Sequence, residues 1–129
     1  MAEHNEIGKI GEKITETFLM KHGFTIIEKN YRTRYGEIDI IAKKDNVIRF
    51  VEVKSIKVRD FSDINNLPVR PEDNLTKSKW AKIVTSTDIY LQHKNISHET
   101  RYQIDLACVY VDTEKRLSKV TLLENIHME

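Results

Sequence analysis

This chain of 129 residues has one cysteine, Cys108. A single thiol closes no intramolecular disulfide and supplies no Cys-based zinc cluster, so neither device is expected to hold the fold together. Glycine and proline are scarce, at 4 and 2 residues, which sets the chain apart from collagen-like and Gly/Pro-rich disordered sequences. No apolar run approaches the roughly 20 residues of a membrane span, and no signal-type apolar segment follows Met1. Charge of one sign is not in excess. A net charge of +1 argues against a strongly basic nucleic-acid binder but leaves room for a local basic face. There is no Gly-rich phosphate-cradling loop, which argues against P-loop nucleotide hydrolysis. The five histidines show no helical i, i+4 pair and no metal-ligand spacing, and read as surface residues.

What is present, 40% hydrophobic and 32% charged residues, describes a soluble globular protein. One domain over residues 1–129 is expected, in a reducing cytoplasm by default. Ile7, Ile10, Ile14 and Phe18 recur at helical spacing and predict a helix from about Glu6 to His22, with Asn5 as N-cap and Gly23 as the stop. Gly8 and Gly11 lie on or beside that stripe, where a helix tolerates Gly mainly if another backbone comes close. Strands are predicted at Phe24–Lys29, Glu37–Lys43 and Val47–Ser55, the last two hairpinned across Asn46. Residues 56–74 read as a long exposed loop. A second helix follows at Leu75–His93, with Trp80 as a core anchor, then strands at Ile104–Val111 and Lys119–Leu123. The order α-β-β-β-α-β-β places the chain in the α/β class, as a mixed sheet flanked by helices. Cys108 and Asp105 read as structural.

The chemistry is concentrated in two of these strands. Asp39 interrupts the apolar run Gly36-Glu37-Ile38-Asp39-Ile40-Ile41, and Glu52 and Lys54 interrupt Ile48-Arg49-Phe50-Val51-Glu52-Val53-Lys54. A buried charge without a partner costs several kcal/mol. Three in adjacent apolar strands suggest retention for chemistry. Alternation sends Glu52 and Lys54 to one side of their strand, and pairing of the strands lets Asp39 and Glu52 converge at one end of the sheet. Two carboxylates and the Val53 carbonyl offer the hard oxygen ligands that Mg²⁺ prefers, with Mn²⁺ as a substitute. A metal-bound water could then attack a phosphodiester, with Lys54 orienting it or offsetting charge on the phosphate.

Gly8-x-x-Gly11-Glu12, Asn30-Tyr31-Arg32, Gly36-Glu37-Ile38-Asp39-Ile40-Ile41-Ala42, Phe50-Val51-Glu52-Val53-Lys54 and the later Lys79 resemble the YraN family. Its members are assigned to the PD-(D/E)-x-K, or restriction-endonuclease-like, superfamily. The resemblance runs from Gly8 to about Asp105, and the arrangement is similar to archaeal Holliday-junction resolvases. It implies a restriction-endonuclease-like fold and a Mg²⁺-dependent endonuclease acting on nucleic acid, with structured or branched DNA as the expected substrate. It implies metal-binding roles for Asp39 and Glu52 and a catalytic role for Lys54. Glu12 would match a first-helix acid near the metal, and Lys79 a basic position that contacts phosphate. By analogy, a homodimer would suit a two-fold symmetric junction.

Three basic groups flank the acids: Lys29, Arg32 and Arg34 with Tyr31; Lys57 and Arg59; and Lys77, Lys79 and Lys82. From these, Arg32, Arg34, Lys57, Lys77 and Lys79 are the expected nucleic-acid contacts. Two other functions fit the same residues. One is a nucleic-acid-binding module with this fold but no turnover, and the other is an RNA-processing nuclease.

Overall fold

The computed structural model describes residues 2–66 and 71–128, with the side chains of 2–5, 63, 65, 66, 71 and 74 left aside. Its elements are α1 (Ala2–Lys21), β1 (Thr25–Thr33), β2 (Gly36–Lys44), β3 (Val47–Lys57), α2 (Lys77–His93), β4 (Arg101–Asp112) and β5 (Leu117–Leu123). They follow the expected α-β-β-β-α-β-β order. The five strands form one sheet in the order β1-β2-β3-β4-β5. Neighbours are antiparallel except β3 and β4, which run parallel with α2 as their crossover. No described helix is long and apolar enough to cross a membrane.

Helix α1 begins earlier than its sequence suggests. Ala2 and Glu3 are good helix formers and carry it through Asn5, which is therefore not the N-cap. Its buried stripe is Ile7, Gly11, Thr15 and Leu19 rather than Ile7, Ile10, Ile14 and Phe18. Ile10 is 40% exposed, and Ile14 and Phe18 are half-buried. The helix has turned its small residues toward the sheet because Gly11 passes close to β3. A Cβ there would overlap Ser55 Oγ. Gly23 ends the helix as expected. Its φ of +84° suits glycine, and Phe24 N–H reaches back to the Leu19 carbonyl at 3.0 Å.

The β2–β3 hairpin turns on Asp45 and Asn46, with φ of 54° and 62°. Both residue types tolerate this left-handed pair, the geometry of a tight hairpin. Helix α1 covers one face through a cluster that includes Leu19, Phe24, Ile40, Val51 and Val109. Helix α2 covers the other through Phe50, Ile83, Tyr90 and Ile104, with Trp80 packed half-buried against them. Full burial of a side chain such as Phe50 is worth about 1.5–3 kcal/mol.

Residues 56–74 are less loop-like than expected. Strand β3 continues through Lys57, and buried Val58 donates its N–H to the Val111 carbonyl at 2.8 Å. Two 3-10 turns follow, at Phe61–Asn66 and Pro71–Asn74, and Phe61 and Ile64 pack under the sheet beside Leu106 and Tyr110. The apolar positions Ile56, Val58, Phe61 and Ile64 fasten this segment down. Residues 67–70 of the expected loop lie outside the described residues.

Candidate active site at the fork between β2 and β3

The ladders of the sheet do not all end together. β1 and β2 stay paired to Thr33 and Gly36, and β3 and β4 to Lys57 and Val111. The β2–β3 ladder stops at Ile40 and Val51. Beyond that pair the strands part, and the fork holds the two acids. β2 also slips in its alternation there. Ile38 and Ile41 join the α2-side cluster, whereas Ile40 and Ala42 join the α1-side cluster. A buried N–H that loses its ladder partner needs another acceptor. Asp39 supplies it, with Oδ2 accepting from Val53 N–H at 2.8 Å.

The Asp39 and Glu52 carboxyls are hydrogen-bonded to each other. Burial pushes the Glu52 carboxyl up to about 8, reinforced by the Asp39 charge and opposed by Lys54. Asp39 is also raised, first by burial, while its bonds from Val53 N–H and Glu52 pull it down. Both carboxyls are held above their ordinary range, and the bond between them runs from Glu52 to Asp39. Lys54 Nζ lies 3.8 Å from Glu52 Oε1.

Glu12 reaches the fork from α1. Its carboxyl is raised by burial and then by Asp39 and Glu37. Asn30 was cited only for its resemblance motif, and no site role was expected of it. Its amide, turned to satisfy both neighbours, donates to Glu37 Oε1 at 2.6 Å and to Glu12 Oε1 at 2.9 Å. It therefore ties α1 to β2. Its φ of 53° lies inside a strand, a conformation that Asn accepts more readily than most residues. Gly11, read from the sequence as a place of close approach, meets Ser55 of β3, of which nothing was expected. They let α1 approach β3 one residue from Glu12.

Two clefts open on the fork. On the α1 side a cleft of about 310 Å³ is lined by Gly8, Glu12, Asp39, Glu52, Lys54 and Lys79, among others. On the α2 side a cleft of about 210 Å³ takes in Glu37, Glu52, Lys54, Lys79 and Lys82. Of the expected nucleic-acid contacts, Lys79 lines both. Exposed Lys77 stands in the first turn of α2, behind the N-cap Thr76. Arg32 is paired with Glu37 at 3.4 Å, Arg34 lies over the Tyr35 ring at 5.6 Å, and Lys57 is exposed at the end of β3. A roomier cleft of about 370 Å³ beside the C-terminal half of α2 holds Asp88 and His98. It has no acid pair and no lysine, and so lacks the chemistry of the fork.

Among the described residues, no three acidic, His or Cys side chains converge as a ready-made metal group. The donor set at the fork is two carboxyls and a carbonyl. Val53 turns its N–H to Asp39, and a strand residue presents its C=O along the same edge, so that carbonyl faces the fork too. Two desolvated acids whose carboxyls are held above their ordinary range fit a hard cation, which would favour their charged forms.

Comparison with known proteins agrees with the motifs. The family model described as "Uncharacterised protein family UPF0102" matches residues 11–109. A UPF0102 protein of Aliarcobacter butzleri is 40% identical over 124 residues, covering 95% of this chain and 97% of its own. One of Nitratiruptor sp. is 36% identical over 117 residues (91% and 94%), and one of Caldicellulosiruptor bescii 31% over 120 residues (93% and 95%). The model match takes in the fork from Glu12 to Lys79, and the chain belongs to the UPF0102 family.

Proposed function

We propose that the protein is a metal-dependent endonuclease that hydrolyses phosphodiester bonds of nucleic acid at the β2–β3 fork. The observation that carries this reading is the Asp39–Glu52 pair, half-buried, with both carboxyls held above their ordinary range and Lys54 standing next to them. Structural carboxylates are normally paired with cations or exposed. Two forced together beside one lysine are costly to packing and suited to chemistry.

Asp39, Glu52 and the Val53 carbonyl would hold Mg²⁺ or Mn²⁺. Bound there, the ion would make a water more acidic and offset charge on the phosphate. The remaining work falls to the chain. Lys54 Nζ, placed by Glu52 at 3.8 Å, donates to the attacking water or to a non-bridging phosphate oxygen. Glu12 borders the same cleft and accepts a hydrogen bond from the outer side of that water. Lys79 and Lys82 hold the phosphate against the fork. The resemblance to junction resolvases favours structured or branched DNA, and a homodimer would let two forks address opposite strands.

The test is cleavage of junction, flap, single-strand and duplex DNA, and of matched RNA, with Mg²⁺ or Mn²⁺. Wild type should cut and Asp39→Ala should not. Equal cutting by the two proteins removes the assignment.

A further inference from the structure

The basic residues around the fork are not spread evenly. Lys29 meets Glu16 at 2.8 Å and Arg32 meets Glu37 at 3.4 Å on the β1 side, and Lys54 lies 3.8 Å from Glu52. On the α2 side Lys54, Lys79 and Lys82 line one cleft with Glu37 and Glu52, three cations to two acids. That cleft is a cationic rail of the kind that tracks one phosphate backbone.

An exposed aromatic residue adjoins one wall of that cleft. Tyr35 is 49% exposed at the tip of the β1–β2 hairpin, next to Gly36 of the cleft wall. Exposed aromatic side chains on loose loops are unremarkable, but this tip is clamped. Thr33 Oγ1 donates to the Gly36 carbonyl at 3.0 Å and accepts from Tyr35 N–H at 3.1 Å. The same hydroxyl meets Ser86 Oγ of α2 at 2.9 Å. The hairpin lies so close to α2 that a Cβ on Gly36 would be 3.7 Å from Lys82 Cβ. Arg34 lies over the ring at 5.6 Å and adds a cation to the platform. A cationic groove beside an exposed aromatic residue on a clamped hairpin is the combination by which proteins bind single strands, with the lysines tracking phosphates and the ring stacking a base.

We infer that the nucleic acid enters the fork as an unpaired segment, with its backbone along Lys82, Lys79 and Lys54 and one base stacked on Tyr35. This rests on the nucleic-acid reading of the fork and names the substrate class for that site. A three-way split of roles follows: acids for chemistry, lysines for position, and Tyr35 for recognising an unpaired base.

The test is binding rather than cutting, so it is independent of turnover. Fluorescence anisotropy of the full chain in EDTA is measured with labelled oligothymidylate, oligouridylate and a blunt duplex. Wild type should prefer a single strand. Tyr35→Ala should weaken that binding by about 5- to 150-fold, the range expected for one lost base stack, and leave duplex binding unchanged. Tyr35→Phe should keep the affinity, because stacking needs the ring and not the hydroxyl. The stronger of the two single strands assigns DNA or RNA. Unchanged single-strand affinity in Tyr35→Ala, an equal loss on duplex, or a wild-type preference for duplex overturns the inference. Cleavage activity with no effect of Tyr35 would sink the inference alone. Tyr35-dependent binding without cleavage under any cation would sink the nuclease reading alone.

Discussion

Asp39 Oδ2 accepts the N–H of Val53 at 2.8 Å, across strands that are no longer paired at that point. The carboxylate replaces a missing ladder bond. One contact thus satisfies a buried backbone donor, holds the fork open and fixes an acid against its neighbour Glu52. The site is built from a local failure of sheet pairing, and its acids are kept where packing alone would not favour them. Such strain should be visible in stability.

Glu52 is the most direct probe. Its carboxyl is pushed from 4.5 up to about 8, chiefly by burial. Between those values the native state keeps a proton that the unfolded chain has released, so stability falls as pH rises from about 4.5 to about 8 and is level above. Glu52→Gln removes the charge and can still donate to Asp39. The variant should be more stable than wild type near pH 8, by on the order of a few kcal/mol, and its stability should be flatter over that window. Urea denaturation across pH checks this. A wild-type stability that rises over the same window contradicts it.

A divalent cation should relieve the same strain. With Mn²⁺ or Mg²⁺ at about 100 times its dissociation constant, stabilisation is about 2.7 kcal/mol, on the order of 10 °C in melting temperature for a chain of this size. The shift should be larger near pH 8 than near pH 5, where protons hold the carboxyls. It should vanish in Asp39→Asn. Thermal melts with and without the cation measure it, and an equal shift in Asp39→Asn would place the ion elsewhere.

The hairpin and its acids were legible because their signals are local. Asp45-Asn46 turns the chain, two apolar runs flank it, and the spacing brings Asp39 to Glu52. The fork was not legible, because nothing in the propensity of Ile38 or Val53 says where pairing stops. Asn30 was hidden for a related reason: its left-handed backbone and two acceptors are set by tertiary neighbours. The charge clusters misled in one respect. Arg32 reads as a free cation in sequence, and only the fold shows that it is facing Glu37. The 56–74 segment looked like loop because its Asp, Asn and Pro outnumber the few apolar side chains that anchor it.

Gly11 supports the site through close contact. Alanine there would gain about 1 kcal/mol of helix propensity. Its Cβ would overlap Ser55 Oγ and lie 2.9 Å from Ser55 Cβ, and overpacking of this kind costs about 1–3 kcal/mol. Ser55 Oγ has no hydrogen-bond partner, so the hydroxyl can swing aside, but Cβ cannot. Gly11→Ala should therefore push α1 off β3, carrying Glu12 away from Asp39 and lowering activity more than stability. Adding Ser55→Gly should restore activity, and adding Ser55→Ala should restore less of it. Relative cleavage rates of the three proteins decide the matter, and full activity in Gly11→Ala would show that Glu12 need not be held so closely.

Arg49 shows what a buried charge does when it is structural instead. Its Nη1 donates to Glu124 Oε1 at 2.9 Å and lies 3.5 Å from Asp105 Oδ2, with the Phe24 ring 5.3 Å from the guanidinium. Asp105 is fully buried, and its Oδ1 accepts from Gln103 at 2.8 Å and from Asn125 N–H at 2.9 Å. The cluster ties the segment after β5 back to the centre of the sheet. Arg49→Met would strand the Asp105 charge, and breaking a buried pair from one side costs about 3–5 kcal/mol. Arg49→Met with Asp105→Asn removes the charge as well. The Asn oxygen still accepts from Gln103 and Asn125, so much of the loss should return. Neither change touches the fork, so cleavage per folded molecule should stay near wild type below the melting temperature. Urea midpoints of the single and double variants measure the coupling. A double variant no more stable than Arg49→Met would mean that the cost lies in lost packing on Phe24 and not in the stranded carboxylate.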